Sequence, residues 1–388
     1  MKLRREALRQ IRSSYVRAFF FVFLVIIPPG CVNLTEGYQG EALLAADLSS
    51  GCYVTSSDHK SYWLGVDACK SNESLKAELQ KRLRNHRNIP YTNNSSVLTG
   101  LGYYTKNFML LNNSYYAVPE RFDVWDAFTM FAMKNANAYN DGTNCTSGKL
   151  LDWYDYRCYD TPTEIMTVNN GGQQGSSGSD TLSAATANFG SEGIYNREHS
   201  WPKSWFLAGA ASGYCASDKD GITNEGTAPY DYRAYVDLHH LIPARASVNS
   251  SRGNNSFGVV AAASANYPRT NGAKSGTPDT GAMSGYPGTL DAVTTTLFEP
   301  PNGVKGALAR IYFYMATRYY TEDGCWLSNN AVTRSNINTW LENLLRQWHN
   351  DYPVSEGERL RNDWIQRIQG NRNPFVDHPE WVAKIADF

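Results

Sequence analysis

Two stretches decide how this chain is read. The first is Tyr195-Asn196-Arg197-Glu198-His199-Ser200-Trp201-Pro202-Lys203-Ser204-Trp205-Phe206. The second is Asp237-Leu238-His239-His240-Leu241-Ile242-Pro243-Ala244-Arg245-Ala246-Ser247-Val248-Asn249-Ser250-Ser251-Arg252-Gly253-Asn254. Together they carry three of the seven histidines, an adjacent acid and imidazole, and an Asn inside a helical pattern. Between residues 234 and 242, Ala234, Val236, Leu238, His240 and Ile242 alternate with Tyr235, Asp237, His239 and Leu241, which is strand period. Pro243 suits the first position of a helix, where its missing N–H is not needed, so a helix is expected from there to about Asn249, stopped by Gly253. The order is thus an extended segment, a strand and a short helix.

The chemistry follows from the side chains. Glu198 and Asn249 are hard oxygen donors of the kind Mg²⁺ accepts while keeping several waters. An imidazole with a pKa near neutrality, such as His199, can take a proton from a water aimed at phosphorus. Other readings stand beside these: a salt bridge from Glu198 to Arg197 or Lys203, and a helix-capping role for Asn249. His239 and His240 are core or supporting groups that could orient His199. Arg252 is either a phosphate contact or a packing residue of the helix. Asp237 is expected to pair with a cation or cap backbone. Neighbours on a regular strand point to opposite faces. Glu198 and His199 are therefore expected on a loop after a strand end, because Pro202 keeps Trp201 extended.

These residues resemble the endonuclease I family of secreted bacterial nucleases, whose site is of the ββα-metal (His-Me finger) type. The resemblance rests on Arg197 to Trp205, on Asp237 to Leu241 with Pro243-Ala244, and on Ser247 to Asn254. It extends to Phe298-Glu299-Pro300-Pro301 with Lys305-Gly306, to Tyr314-Met315-Ala316-Thr317-Arg318-Tyr319, and to the stretch from Gln369 to Glu380. It implies that His199 is the general base and that Glu198 and Asn249 hold one Mg²⁺. It also implies cleavage of DNA, and of RNA as a second substrate, with little sequence preference and 5′-phosphate products. A branch of that family has a Glu where this chain has Tyr235, so a carboxylate there is missing.

The chain has 388 residues, 42% apolar and 13% aromatic, enough for a packed core. Residues 1 to 31 do not read as part of it. Lys2, Arg4, Arg5, Arg9, Arg12 and Arg17 precede an apolar run from Ala18 to Ile27 that is short for a bilayer, so this is a secretion signal or an uncleaved anchor. Gly30 before Cys31 fits a lipoprotein cleavage site, which would make Cys31 a lipid anchor, although Pro28 and Pro29 depart from the usual pattern. Removing this segment takes six basic residues and one acidic one, leaving 30 against 36. That mild acidity says little about a small groove and excludes no polyanionic partner.

Six further cysteines, with no Cys-x-x-Cys pair, speak for disulfides in an exported protein rather than for zinc. The local pairings are Cys52–Cys69 and Cys145–Cys158. Residues 32 to 70 read as a linker or small extension and 71 to 388 as the functional domain. Asp218 to Glu225 faintly resembles a calcium loop but lacks its closing Glu. Residues 168 to 190 and 254 to 291 are Gly- and Ser-rich surface excursions. Helices are expected around residues 73–87, 308–319, 337–348 and 355–369, the last opened by Ser355 with Glu358 three positions on. Arg310 and Arg318 lie on the second of these and could reach the site. The segment from Asn371 to Pro379 reads as a hydrogen-bonded clasp.

The expected architecture is α+β, a ββα-metal core within a mixed helical and aromatic shell, acting as a monomer outside the cytoplasm or in the cell envelope. Two function classes remain. One is a Mg²⁺-dependent nuclease; the other is a cell-envelope protein that binds nucleic acid or scaffolds without turnover. The presence of a base beside the oxygen donors favours the first.

Overall fold

The computed structural model describes residues 54, 62–84, 86, 109–111, 114–116, 127–128, 149–156, 158–160, 195–206, 233–265, 273–285, 296–324 and 326–388. They fall within Ser50–Phe388, one of two compact units; the other is Met1–Ser49. The expected signal segment, Cys31, the 168–190 excursion and the calcium-like stretch lie outside the described residues, as do Cys52 and Cys145 of the two expected pairings. Among the described residues no helix is long and apolar enough to cross a membrane.

The architecture is mixed, α and β. Helix α1 spans Asn72–Leu83 and buries Leu75, Leu79 and Leu83. Strands β1 to β4 are short: Met109–Leu111, Ser114–Tyr116, Lys149–Leu151 and Cys158–Asp160. Strand β5 is Tyr195–His199, followed by α2 (Lys203–Phe206) and α3 (Arg233–Val236). Strand β6 is Leu241–Arg245, and α4 is Ala246–Arg252. Then come β7 (Lys274–Gly276), α5 (Thr280–Met283), β8 (Leu297–Glu299), α6 (Asn302–Tyr319), β9 (Val332–Thr333) and β10 (Asn336–Ile337). Helices α7 (Thr339–Asp351), α8 (Glu356–Gln369) and α9 (Pro374–Asp377) follow, and after them a 3₁₀ helix at Pro379–Lys384. The strands pair consecutively in antiparallel twos, β5 with β6 among them.

Helix α6 is the axis of the scaffold. Every residue from Val304 to Tyr319 is buried, so it is enclosed on all sides rather than on the single face its spacing suggests. Its buried charges are each met. Lys305 reaches Glu299 at 2.8 Å, Arg310 forks onto Glu358 at 2.7 and 2.6 Å, and Arg318 binds Glu322 at 2.8 Å. Arg310 and Arg318 are therefore fasteners and do not reach the Glu198-His199 pair. Gly306 is required where α6 passes Tyr352, since a Cβ there would collide with the Tyr352 carbonyl.

The fourth expected helix starts as its capping box predicts: Glu358 N–H donates to Ser355 Oγ and Ser355 N–H to the Glu358 carboxylate, both at 3.2 Å. Gly370 ends it at φ 98°, a left-handed turn that glycine adopts without strain. The clasp after it is real. Asn371 donates to Tyr314 Oη at 2.7 Å, Asn373 donates to the Arg310 carbonyl at 3.0 Å, and Arg372 forks onto Asp377 at 2.6 and 2.7 Å.

Three boundaries differ from expectation. Among the described residues before 71, Trp63 is fully buried and its indole N–H donates to Asp377 at 2.7 Å. The stretch read as a surface excursion after residue 254 puts Phe257, Val260 and Ala273 into the core, because isolated apolar anchors suffice where Gly and Ser let the backbone pack closely. Ile337 lies on β10 rather than on α7.

Two outcomes follow. Asp377→Ala removes the main partner of a buried guanidinium and should cost about 3–5 kcal/mol in urea unfolding. His349 on α7 accepts from Arg310 through Nδ1 at 3.3 Å, and its Nε2–H donates to the Pro379 carbonyl at 3.1 Å. Burial and the Arg310 charge push its pKa down to about 4. The unfolded chain, with the usual histidine pKa of about 6.5, therefore takes up this proton first. Stability should fall as pH drops from that value toward the folded one, and His349→Gln should make that fall shallower.

Candidate active site

Strands β5 and β6 pair with Arg197 opposite Pro243, Glu198 opposite Ile242 and His199 opposite Leu241. Pro243 sits in the strand, not at the head of the helix as its ring suggested. Its carbonyl accepts from Trp153 N–H at 3.0 Å, so that residue's polar edge points away from β5 and the missing N–H costs no ladder bond. Helix α4 then begins at Ala246. The expected strand over residues 234 to 242 is instead the helical turn α3, a tight turn and only then β6. The alternation misled because residues 234 to 244 are all buried, and because the Asp237 carboxylate captures His239 N–H at 2.9 Å and folds the chain into a turn.

Glu198 and His199 are the last two residues of β5 rather than part of a following loop. Pairing continues past them, since Ser200 N–H donates to the His240 carbonyl at 3.0 Å. Strand alternation therefore holds, and the two side chains leave opposite sides of the strand. Glu198 turns toward α4 and Tyr154, whose hydroxyl donates to Oε1 at 3.1 Å. Arg252 Nη1 donates to the same Oε1. Oε2 takes no side-chain hydrogen bond among the described residues. Burial raises the Glu198 carboxyl above its ordinary range, and Arg252 and Tyr154 counter part of that rise. Its ion partner is thus Arg252, neither Arg197 nor Lys203.

Of the two readings of Arg252, phosphate contact or packing of the helix, its surroundings match the second. It is fully buried, and besides Glu198 it donates to the carbonyls of His199 at 2.9 Å and Ser200 at 2.6 Å. Tyr312 Oη lies at 3.4 Å from Nη2, itself donating to the Ser200 carbonyl at 2.9 Å, and Phe257 covers the guanidinium at 4.8 Å. Both terminal nitrogens are spent on protein.

His199 is nearly buried, with Nε2 at 2.9 Å from the Tyr235 carbonyl. A carbonyl only accepts, so Nε2 carries the hydrogen and the lone pair sits on Nδ1. Burial, reinforced by neighbouring His240, holds the imidazole well below its usual pKa, so it is neutral at pH 7. The Tyr235 ring lies 4.6 Å away and that of His240 5.2 Å away. His240 bonds the Ala234 carbonyl through Nε2, and His239 packs on Tyr314 at 4.2 Å. Burial pushes both down to about 4. The structure gives neither a hydrogen bond to His199. Asp237 caps the turn and accepts from Tyr314 and Tyr319 at 2.7 and 2.9 Å.

Asn249 is half-buried on α4, three residues before Arg252 and so on the same helix face. That face is the one from which Arg252 reaches Glu198. The capping role belongs to the Asn249 carbonyl, which accepts from Gly253 N–H at 2.9 Å, while its side-chain amide makes no hydrogen bond among the described residues. Glu198 Oε2 and the Asn249 amide oxygen are hard donors of the kind Mg²⁺ accepts, and the Glu198 carboxylate also accepts from the His199 backbone N–H. Among the described residues no group of three or more His, Cys, Asp or Glu could hold a metal, so an ion here would complete its shell with water or phosphate oxygens. Sequence reasoning missed Tyr154 and the Tyr235 carbonyl. Tyr154 stands in an aromatic run that reads as core, and a backbone acceptor leaves no trace in residue identity.

The endonuclease I family model matches residues 127–380, more than half of the chain. An extracellular ribonuclease of Bacillus subtilis (strain 168) is 36% identical over 202 residues, 51% of this chain and 56% of that protein. An extracellular deoxyribonuclease of Aeromonas hydrophila is 30% identical over 158 residues, 40% of this chain and 55% of its own length. A periplasmic deoxyribonuclease of the same organism is 30% identical over 142 residues, 36% and 47% respectively. The chain spans about half the length of the curated relatives it matches. On the strength of the family match, this chain belongs to the endonuclease I family.

Proposed function

We propose that this protein is an exported, Mg²⁺-dependent endonuclease that hydrolyses phosphodiester bonds of DNA and RNA with little sequence preference, leaving 5′-phosphates. The observation that carries the reading is the fixed tautomer of His199, an imidazole next in sequence to a carboxylate whose Oε2 takes no side-chain hydrogen bond among the described residues. The relatives bear the names of both a ribonuclease and deoxyribonucleases. Strand, strand and helix in the order β5, β6, α4 support a His-Me finger core.

In this reading Glu198 Oε2 and Asn249 Oδ1 hold the ion. An ion held there would supply Lewis acidity to the scissile phosphate. His199 Nδ1 takes a proton from water as the water oxygen bonds to phosphorus. The bond from phosphorus to the 3′ oxygen breaks, that oxygen takes a proton from solvent water and ends as a hydroxyl, and His199 returns its proton to solvent. Tyr235 keeps the imidazole aimed through its carbonyl, so the absent carboxylate at that position is not required. Arg252 is assigned to the protein frame rather than to phosphate.

Cleavage of plasmid DNA and of RNA, each with Mg²⁺ and with EDTA, tests this. Activity should vanish in EDTA, and His199→Ala should lose roughly 10²–10⁴-fold in rate. Undiminished cleavage by the mutant would remove the base. A wild type that binds nucleic acid but never cuts it would instead support a non-catalytic envelope protein.

A further inference from the structure

We infer that Tyr154 is a positioning residue that, with Arg252, closes one oxygen of Glu198, so that an ion meets only Oε2 and chelation by both oxygens is blocked. This rests on the ion site proposed above. A carboxylate oxygen has two lone-pair directions. On Oε1 of Glu198 one is met by the Tyr154 hydroxyl and the other by Arg252 Nη1. With both filled, the carboxylate cannot turn to present its two oxygens together.

Both donors are built to stay. Tyr154 comes from a turn whose first carboxylate, Asp152, accepts from the N–H groups of Tyr154 at 2.8 Å and Asp155 at 2.7 Å. Trp153 N–H fastens that turn to the Pro243 carbonyl of β6, and Ala273 N–H donates to the Tyr154 carbonyl at 2.8 Å. The ring rests on Phe298, centroids 4.7 Å apart. Arg252 is anchored by the backbone of His199 and Ser200. Tyr154 thus acts on the site from outside β5, β6 and α4 while tied to β6.

The consequence is selectivity among cations. Mg²⁺ is small, demands octahedral geometry and binds one oxygen per carboxylate while keeping waters, whereas Ca²⁺ takes more ligands and accepts two oxygens from one carboxylate. A Glu198 held to one oxygen favours the former.

Calorimetric titration of Mg²⁺ alone and of Ca²⁺ alone into the full protein tests this, comparing wild type, Tyr154→Phe and Arg252→Lys. Tyr154→Phe should weaken Mg²⁺ binding by about 10-fold, as loss of a ligand's supporting hydrogen bond does, while Ca²⁺ binding falls less or tightens. The Mg²⁺ to Ca²⁺ preference therefore drops. Arg252→Lys, which keeps the charge but loses the fork, should shift the ratio the same way; if it fails to fold, Tyr154→Phe carries the test. An unchanged ratio in Tyr154→Phe, with or without a lower melting temperature, overturns the inference. A wild type that binds neither ion overturns the underlying ion site instead.

Discussion

The structure depends on one buried guanidinium. Arg252 has no exposure to water, yet it reaches the side chain of Glu198 and the backbone of His199 and Ser200 from a single planar fork. Burying such a charge is expensive unless it is paired and its hydrogens are used, and removing one partner of a buried pair costs about 3–5 kcal/mol. That penalty fixes helix α4 against β5. Because Asn249 rides on the same helix face, its place relative to Glu198 is set by the same contact.

The imidazole depends on a second frame. Its orienting group is the Tyr235 carbonyl, whose position is set by the turn that follows α3. Asp237 holds that turn, accepting from Tyr314, Tyr319, His239 N–H and the Gln369 amide at 2.8 Å. Burial alone would raise the Asp237 carboxyl, but His86 and the surrounding donors outweigh it and keep it ionised. Arg361 of α8 braces the same turn through the Leu241 carbonyl at 2.9 Å. The helical scaffold therefore reaches the chemistry through backbone groups: α6 contributes its tyrosines, and α8 contributes Arg361 and Gln369.

The scaffold helices were legible because their signals are local. The capping box at Ser355, the left-handed Gly370 and the leucine stripe of α1 each need only a few neighbouring residues. Residues 234 to 242 were not legible as a turn, because a wholly buried stretch alternates without having two faces. Pro243 misled in the same way: its ring tolerates a helix start and an outward-facing strand position equally, and only the Trp153 contact decides between them. Among site residues, Glu198, His199 and Asn249 stood out by chemistry and by family resemblance. Arg252 stood out too, with phosphate contact and helix packing both open, since a guanidinium that touches phosphate and one that clamps a carboxylate look alike in sequence. Tyr154 comes from a distant turn, and its part depends on a long-range contact.

The central claim is that Glu198 and Asn249 share one divalent ion beside a neutral His199. A crystal of the His199→Ala protein soaked with Mn²⁺ and a short duplex, examined by anomalous scattering, tests it most directly. The account predicts one peak bonded to Glu198 Oε2 and Asn249 Oδ1, with Oε1 still held by Tyr154 and Arg252. A peak elsewhere, or none with the duplex bound, would contradict it.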